Sequence, residues 1–384
     1  MGKQNDEIWR GKSPRPASWA ATGILLVLAV AALAAYRGGT GFDVVRRYLR
    51  YGTPERAGGE ILYDFPVSGK NRFAVLGEHL AVLSDTELKL ADSAGGTLWS
   101  TAVHMANPAL EEGGGRAVAY DVGGTELLVF DAGGILMPLT NPEEEPFLSA
   151  RLNRNGCLAV TAGAQGRRGT VTVYGPSLEL LFRFSSSRRF VSDAFVTDDN
   201  LRMAAVTLGQ EDGVFATEMV LYRLDSEEPE AEYAIPDGIA VAAAQKGQIL
   251  TTVTDTCLSF ARADGTVLDG YSYEGEHLRG FALNGDGFTA LLLNRYQSGS
   301  VGRLVTVDSQ GRELGSLDLK EEVLSLSAAG KYVAALYSGR LVVYNQALRE
   351  YAALSGTDNL RQVVVRPDGS ILLIGADSAR VFLP

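Results

Sequence analysis

RLNRNGCLAV, residues 151–160, decides the fold: a short strand, a turn made of Asn and Gly, then an apolar strand. The same element returns as FVTDDNLRMAAV at 195–206, FALNGDGFTALLL at 281–293 and VVRPDGSILLI at 364–374. Weaker copies are VLGEHLAVL at 75–83, AAQKGQILTTV at 243–253 and LSAAGKYVAAL at 326–336. Each leads into a third strand, a polar turn and a fourth strand, as in LLVFDAGGILMPL at 127–139 and LVTVDSQGRELGSL at 304–317. Gly, Asn and Asp at those turns supply the positive φ that a tight hairpin needs. Past Gly59 no amphipathic helix is evident, so residues 59–384 read as all-β.

Breaks between units fall near Asn71, Asn107, Glu145, Arg189, Asp237, His277, Glu322 and Asn359, about 41 residues apart on average. That is the period of a four-stranded propeller blade. Seven whole units fit between Asn71 and Asn359, and the last 25 residues hold three strands. EILYDFPV at 60–67 is available as the missing fourth strand. Pairing it with the last three closes the ring and removes an open sheet edge. The expectation is an eight-bladed β-propeller, with seven blades as the alternative if one repeat is mis-cut.

Ahead of the repeats lies one uncharged apolar run, Ala17–Tyr36, led by Trp19 and preceded by Lys3, Arg10, Lys12 and Arg15. Twenty helical residues span about 30 Å, the thickness of a bilayer core. The expected division is a cytoplasmic N-terminus at 1–16, a transmembrane helix at 17–36, a basic juxtamembrane linker at 37–58 and the propeller at 59–384. A cleaved signal peptide, with Ala32-Leu33-Ala34 as the small-x-small site, is the alternative for the run. Basic residues flank it almost evenly, and a long C-terminal domain translocates with little regard to flanking charge. The propeller is therefore expected outside the cytoplasm. Phe42, Val45 and Leu49 share one face of a possible helix bordered by Arg46, Arg47 and Arg50, which suits a membrane interface. A solvated linker is the other reading of that segment.

Charge divides the chain in the same place. Residues 1–58 hold nine basic and four acidic side chains, leaving 26 basic and 42 acidic in 59–384. A domain so acidic excludes non-specific nucleic-acid binding and is repelled by anionic lipid. Cys157 and Cys257 sit in strand-like runs 100 residues apart. They read as buried small side chains rather than a disulfide.

The RPDGSILL and LNGDGFTAL turns resemble the Pro-Asp-Gly-type hairpins of WD40-like and YVTN-like bacterial propeller repeats. The layout of one N-terminal span, a basic Arg-Arg-Tyr-Leu segment and degenerate repeats is similar to a bacterial family of membrane-anchored propellers, domain of unknown function 5711. WD40 proper matches poorly, because no blade contains Gly-His or Trp-Asp. The resemblance implies a propeller and carries over no catalytic residue.

Chemistry-bearing patterns are sparse. His79, His104 and His277 are dispersed, and no nucleophile elbow, P-loop or Cys-x-x-Cys occurs. Gly113–Arg116 is a hairpin turn rather than a phosphate loop. Trp99 is the one tryptophan after residue 58, which argues against a quinone-dependent propeller enzyme. Asp198, Asp199 and Asp286 lack calcium-loop spacing and read as turn formers. No cofactor or metal is expected. In a propeller the loop between second and third strands shares a face with the inter-blade connectors. Arg167 and Arg168 of blade 3 and Arg188 and Arg189 of its outgoing connector thus converge as a candidate basic binding patch. Long loops at 209–217 and 295–302 fall on the same face. The expected role is a non-catalytic binding or scaffold module for a protein or cell-envelope polymer, held at the membrane by the N-terminal helix. The rival is a glycan hydrolase or lyase using acids near the funnel, with Glu144, Glu145, Asp237, Glu276 and Glu322 as candidates. Protease added to intact cells is expected to cut loops of the propeller; protection until lysis would reverse the assigned orientation.

Overall fold

The computed structural model describes residues 16–36, 40–51, 62–141, 145–211, 213–236, 238–299 and 301–384, with backbone alone at 16–21, 50, 51 and 211. It divides into two units, 1–54 and 55–384. The first contains α1 (Pro16–Ala35) and α2 (Gly41–Tyr51). Among the described residues no helix is long and apolar enough to cross a membrane. The apolar run read from the sequence begins at Ala17, five residues before the first described side chain, Thr22. The segment expected to be an interfacial helix or a solvated linker is helical. Phe42, Val45, Tyr48 and Leu49 are exposed on it, whereas Arg47 is buried, not on the polar rim. The proposed cytoplasmic residues 1–15 and the linker residues 37–39 and 52–58 lie outside the described residues.

The second unit is built from strands. β1 (Leu62–Asp64) comes first and stands apart from its sequence neighbours. Blade 1 is β2–β5 (Arg72–Leu76, His79–Leu83, Glu87–Ala91, Thr97–Ala102) and blade 2 is β6–β9 (Pro108–Gly113, Arg116–Asp121, Glu126–Asp131, Gly134–Thr140). Blade 3 is β10–β13 (Phe147–Leu152, Leu158–Ala162, Gly169–Tyr174, Leu180–Ser186) and blade 4 is β14–β17 (Phe190–Val196, Arg202–Glu211, Val214–Arg223, Pro229–Ala234). Blade 5 is β18–β21 (Ala240–Lys246, Ile249–Thr254, Cys257–Arg262, Val267–Ser272) and blade 6 is β22–β25 (His277–Ala282, Phe288–Asn294, Gly302–Asp308, Glu313–Leu319). Blade 7 is β26–β29 (Val323–Ala329, Tyr332–Tyr337, Arg340–Asn345, Glu350–Ser355). The eighth uses β30–β32 (Gln362–Val365, Ile371–Ile374, Ser378–Phe382) with β1 as its fourth strand, in the order β1-β32-β31-β30. Eight four-stranded antiparallel sheets result, and the count of eight holds.

The two middle strands of each blade carry the apolar runs, and both faces of the sheet bury them. Leu83, Leu88 and Phe130 join blade 1 to blade 2, and Val173, Met203 and Tyr222 join blade 3 to blade 4. Fourth strands alternate exposed and half-buried residues, as in β5 and β17, because only their blade neighbours cover them. The ring closes through a further cluster in which Tyr63 and Phe65 pack with Leu80 and Val82 of blade 1 and Leu372 and Ile374 of blade 8. Leu62 opposes Arg380, and Asp64 opposes Ser378. Both cysteines are free; Cys157 is buried, but half-buried Cys257 donates its thiol to the Pro236 carbonyl at 3.1 Å rather than packing as a simple apolar group.

Tyr63 is only 2% exposed. Tyr63→Ala is expected to destabilise the fold by about 3 kcal/mol through lost burial and the cavity left behind. A chain beginning at Ser68 is expected to aggregate or unfold where one beginning at Gly58 stays soluble. Equal melting temperatures for the two chains would show that β1 does not close the ring.

Candidate functional site

Two places on the propeller concentrate chemistry: one outer face at blades 3 and 4, and the channel wall beneath it. The outer face starts from the β11–β12 loop. Its Gln165 amide donates to the buried Glu145 carboxylate at 2.8 Å, and the Arg168 amide donates to the Ser186 carbonyl at 2.8 Å. Val191 N–H then donates to the Arg168 carbonyl at 3.1 Å. The loop carrying Arg167 and Arg168 is thereby sewn to the connector carrying Arg188 and Arg189, as the topology required. Ser186 Oγ donates to the Arg189 carbonyl at 2.6 Å and fixes the connector's turn.

Three of the four arginines face solvent: Arg167, Arg168 and Arg188. The Arg168 guanidinium carbon lies 4.5 Å from the ring centre of Phe190, itself exposed, a cation–π contact that positions the guanidinium over an aromatic surface. Arg189 points elsewhere. Its Nε lies 3.2 Å from Thr207 Oγ1 and 3.1 Å from Glu218 Oε2, and its Nη2 donates to the Ala216 carbonyl. Its side chain and that of Glu218 are each 15% exposed. A Cβ on Gly209 would sit 2.6 Å from the Arg189 guanidinium carbon, so glycine there is what lets the guanidinium lie across the hairpin. The patch expected from sequence is thus three exposed arginines, with Arg189 clamping blade 4.

What Arg189 clamps is a projection. The segment at 209–217 is not a loop: β15 and β16 run ten residues each, against four to seven for the middle strands of other blades, and pair up to Glu211↔Val214. Beyond Leu208, which opposes Phe190 at the end of β14, three more residue pairs extend the hairpin by about 10 Å. Val214 and Phe215 at its tip are 69% and 61% exposed. In the 295–302 loop of blade 6, Tyr296 is exposed too.

The channel wall was not foreseen. First strands line the channel, and those of blades 2–5 border an open cavity of about 210 Å³ with Glu111, Ser149, Arg151, Ser192, Asp193 and Ala240–Ala243, joined by Tyr120 and Val206 from the second strands β7 and β15. Arg151 pairs with Asp193 at 3.3 Å and donates to the Ala243 carbonyl at 3.1 Å. Bulges break the register between Phe147 and Ser149, Val191 and Asp193, and Ala240 and Ala242. A bulge lets consecutive residues such as Ser192 and Asp193 face one side, which regular alternation forbids. Burial, then the neighbouring Asp193, push Glu111 above the usual carboxylate range against the pull of Arg151. Burial and Glu111 raise Glu112 as well, and burial with Glu111 lifts Tyr120 to about 12. Asp193 is also raised by burial, against Arg151.

Three of the five acids that the enzyme reading needs already have partners. Glu145 accepts from Gln165, Glu276 pairs with Arg303 at 2.6 Å, and Glu322 lies 3.7 Å from Arg279; Glu144 and Asp237 lie outside the described residues. Asp198 caps Gly247 and pairs with Arg154, Asp199 accepts from Thr197 and Leu201, and Asp286 pairs with Lys246. Among the described residues no group of three or more His, Cys, Asp or Glu is placed to hold a metal ion.

Residues 62–380 match the family of unknown function DUF5711, nearly the whole strand-built unit. The chain belongs to that family. No curated protein matches it by sequence. Among solved structures it is similar to the C-terminal WD40 domain of Sif2, at 13% identity over 85% of this chain and 98% of that one, with a TM-score of 0.60. Sqt1 of Saccharomyces cerevisiae aligns at 11% identity over 84% and 99%, with a TM-score of 0.59. The quinohemoprotein alcohol dehydrogenase ADHIIG of Pseudomonas putida HK5 aligns at 10% over 83% and 75%, with a TM-score of 0.55. At such identities the likeness is one of fold, and a WD40 domain and an alcohol dehydrogenase share it equally.

Arg189→Ala removes one partner of a mostly buried ion pair and is expected to destabilise by about 3 kcal/mol. Changing Arg167, Arg168 and Arg188 together to Ala is expected to leave the melting temperature nearly unaltered, because exposed charges contribute about 0–1 kcal/mol. Thermal melts of the two variants check this, and an unchanged Arg189→Ala melt would remove its clamping role.

Proposed function

We propose that this DUF5711 chain is a membrane-tethered, non-catalytic binding module that receives an acidic segment of a protein partner on the blade 3–4 face. The observation that carries the reading is the pairing of three exposed arginines with an apolar-tipped projection. The hairpin that presents Phe215 and Val214 extends from the end of the blade where Leu208 opposes Phe190, next in sequence to Arg188 and Arg189. Aromatic and arginine side chains are the usual energetic anchors of protein interfaces. An acidic domain repels acidic partners everywhere else, so a local basic surface decides where such a partner lands. Long features on a rigid scaffold are where recognition concentrates.

For the tether, the support is the uncharged run from Ala17 and the exposure of α1. Ile24, Leu25, Leu26, Val27, Leu28 and Val30 are each 47–67% exposed, on all sides of the helix. A helix apolar all round is at home within protein or lipid, not in water. α2 adds Phe42, Val45 and Leu49 as an apolar face suited to the headgroup region. The propeller lies outside the cytoplasm in this reading, with residues 1–16 inside.

A photo-crosslinking residue at position 215, in the full chain in its own membrane, tests the proposal. One protein should crosslink, and the crosslink should fade with added salt and in the Arg167, Arg168 and Arg188 triple Ala variant. A crosslink indifferent to both changes, or one only to an envelope polymer, would overturn a protein-docking face.

A further inference from the structure

The structure assigns Asn284 as a site of spontaneous deamidation, where the chain converts to aspartate or isoaspartate and loosens its own blade 6–7 junction. An asparagine followed by glycine is open to this chemistry, because no side chain screens the glycine nitrogen from the asparagine amide. The sequence holds two such pairs, Asn155-Gly156 in the β10–β11 turn and Asn284-Gly285 in the β22–β23 turn. In both, the asparagine is exposed and the glycine buried, so solvent access does not separate them. Hydrogen bonding does.

The Asn155 amide nitrogen donates to the Asp198 carbonyl at 2.7 Å and to Asn200 Oδ1 at 3.2 Å. The Gly156 N–H, which would attack, donates to the Asn153 carbonyl at 3.1 Å. Both reacting groups of that pair are tied. The Asn284 side chain and the Gly285 N–H, by contrast, bond to no group among the described residues. Lys246 Nζ stands 3.4 Å from the Asn284 carbonyl oxygen, held by the Gly285 carbonyl and by Asp286 Oδ1, each at 2.7 Å. Its charge draws electrons out of the peptide group that joins residues 284 and 285, which makes the Gly285 N–H more acidic.

Hydroxide takes the Gly285 amide proton, and the nitrogen pair attacks Asn284 Cγ. The Cγ–Nδ2 bond breaks, and ammonia leaves with a proton from water. Water then opens the cyclic imide at either carbonyl, giving aspartate or isoaspartate with no oxidation or reduction. Isoaspartate routes the main chain through Cβ and adds a methylene ahead of Gly285. Gly285 bridges Gly330 in parallel, and the Asp286 N–H donates to the Gly330 carbonyl at 2.7 Å, joining the first turns of blades 6 and 7. The added methylene pushes these contacts out of register.

A Cβ on Gly285 would lie 2.6 Å from the Phe288 ring, so the test alters Asn284 and keeps the glycine. The full chain in detergent is aged in mildly alkaline buffer, and peptide mass mapping with isoaspartyl-specific methyl labelling follows each asparagine. Asn284 should convert about tenfold faster than Asn155 or more, since Asn155 must first break its hydrogen bonds. In urea, where no such bonds persist, the two rates should become equal. Asn284→Gln, whose longer side chain does not close the same ring, should fold normally and block conversion at this position. Ageing should lower the melting temperature of the unaltered chain and spare that of Asn284→Gln. Equal rates at the two asparagines in the folded chain, a preference for Asn284 that persists in urea, or an isoaspartate-bearing chain that melts like a fresh one would overturn the assignment. None of these outcomes bears on the blade 3–4 face.

Discussion

Every blade of this propeller is stabilised through both of its faces, so no blade is complete without two neighbours. Eight apolar clusters mark the eight junctions, and the eighth depends on Tyr63 and Phe65, which arrive from the far end of the sequence. Were that junction open, a sheet face lined by Leu80, Val82, Leu372 and Ile374 would meet water, and β32 would become a bare edge. The ring is therefore held as much by the three paired residues of β1 as by any larger contact. The rigid channel and the loop-bearing face are consequences of that closure.

Much of this architecture was legible because it is local. An Asn/Asp/Gly turn followed by an apolar strand defines the first hairpin of a blade wherever it occurs, and the breaks near Asn107, His277 and Asn359 fall within a few residues of β6, β22 and β30. The use of Glu60–Val67 as the closing strand followed from counting strands and is seen in Leu62–Asp64. The convergence of residues 167–168 with 188–189 followed from strand order and is seen in the hydrogen bond from Arg168 to Ser186.

What stayed hidden is the direction of individual side chains. Adjacent arginines 188 and 189 are equivalent in sequence, yet the connector's turn sends one to solvent and one across Gly209 onto Glu218. The 209–217 segment looked like a loop because its Gly-Gln-Glu-Asp-Gly run has turn composition; continued pairing up to Glu211 makes it strand instead. Glu111, Arg151 and Asp193 gave no motif, since they meet only when neighbouring blades stand side by side. A signal was present in their separations of about 40 residues, one blade period, on strands otherwise rich in small and apolar residues. The bulges that turn Ser192 and Asp193 to the same side left no mark in composition.

The closing strand also sets an order of events during synthesis. β1 leaves the ribosome among the first elements, but its partner β32 follows more than 300 residues later. Earlier blades can stack as they emerge, each onto its predecessor, whereas Tyr63 and Phe65 remain without their seat until the final strands exist. Joining ends so distant along the chain slows the last step, although the entropy of loop closure rises only with the logarithm of length. Maturation of the ring is thus coupled to translation of its final blade. A ribosome that stops early releases an arc with sticky ends, a species that chaperones and proteases distinguish from the finished circle.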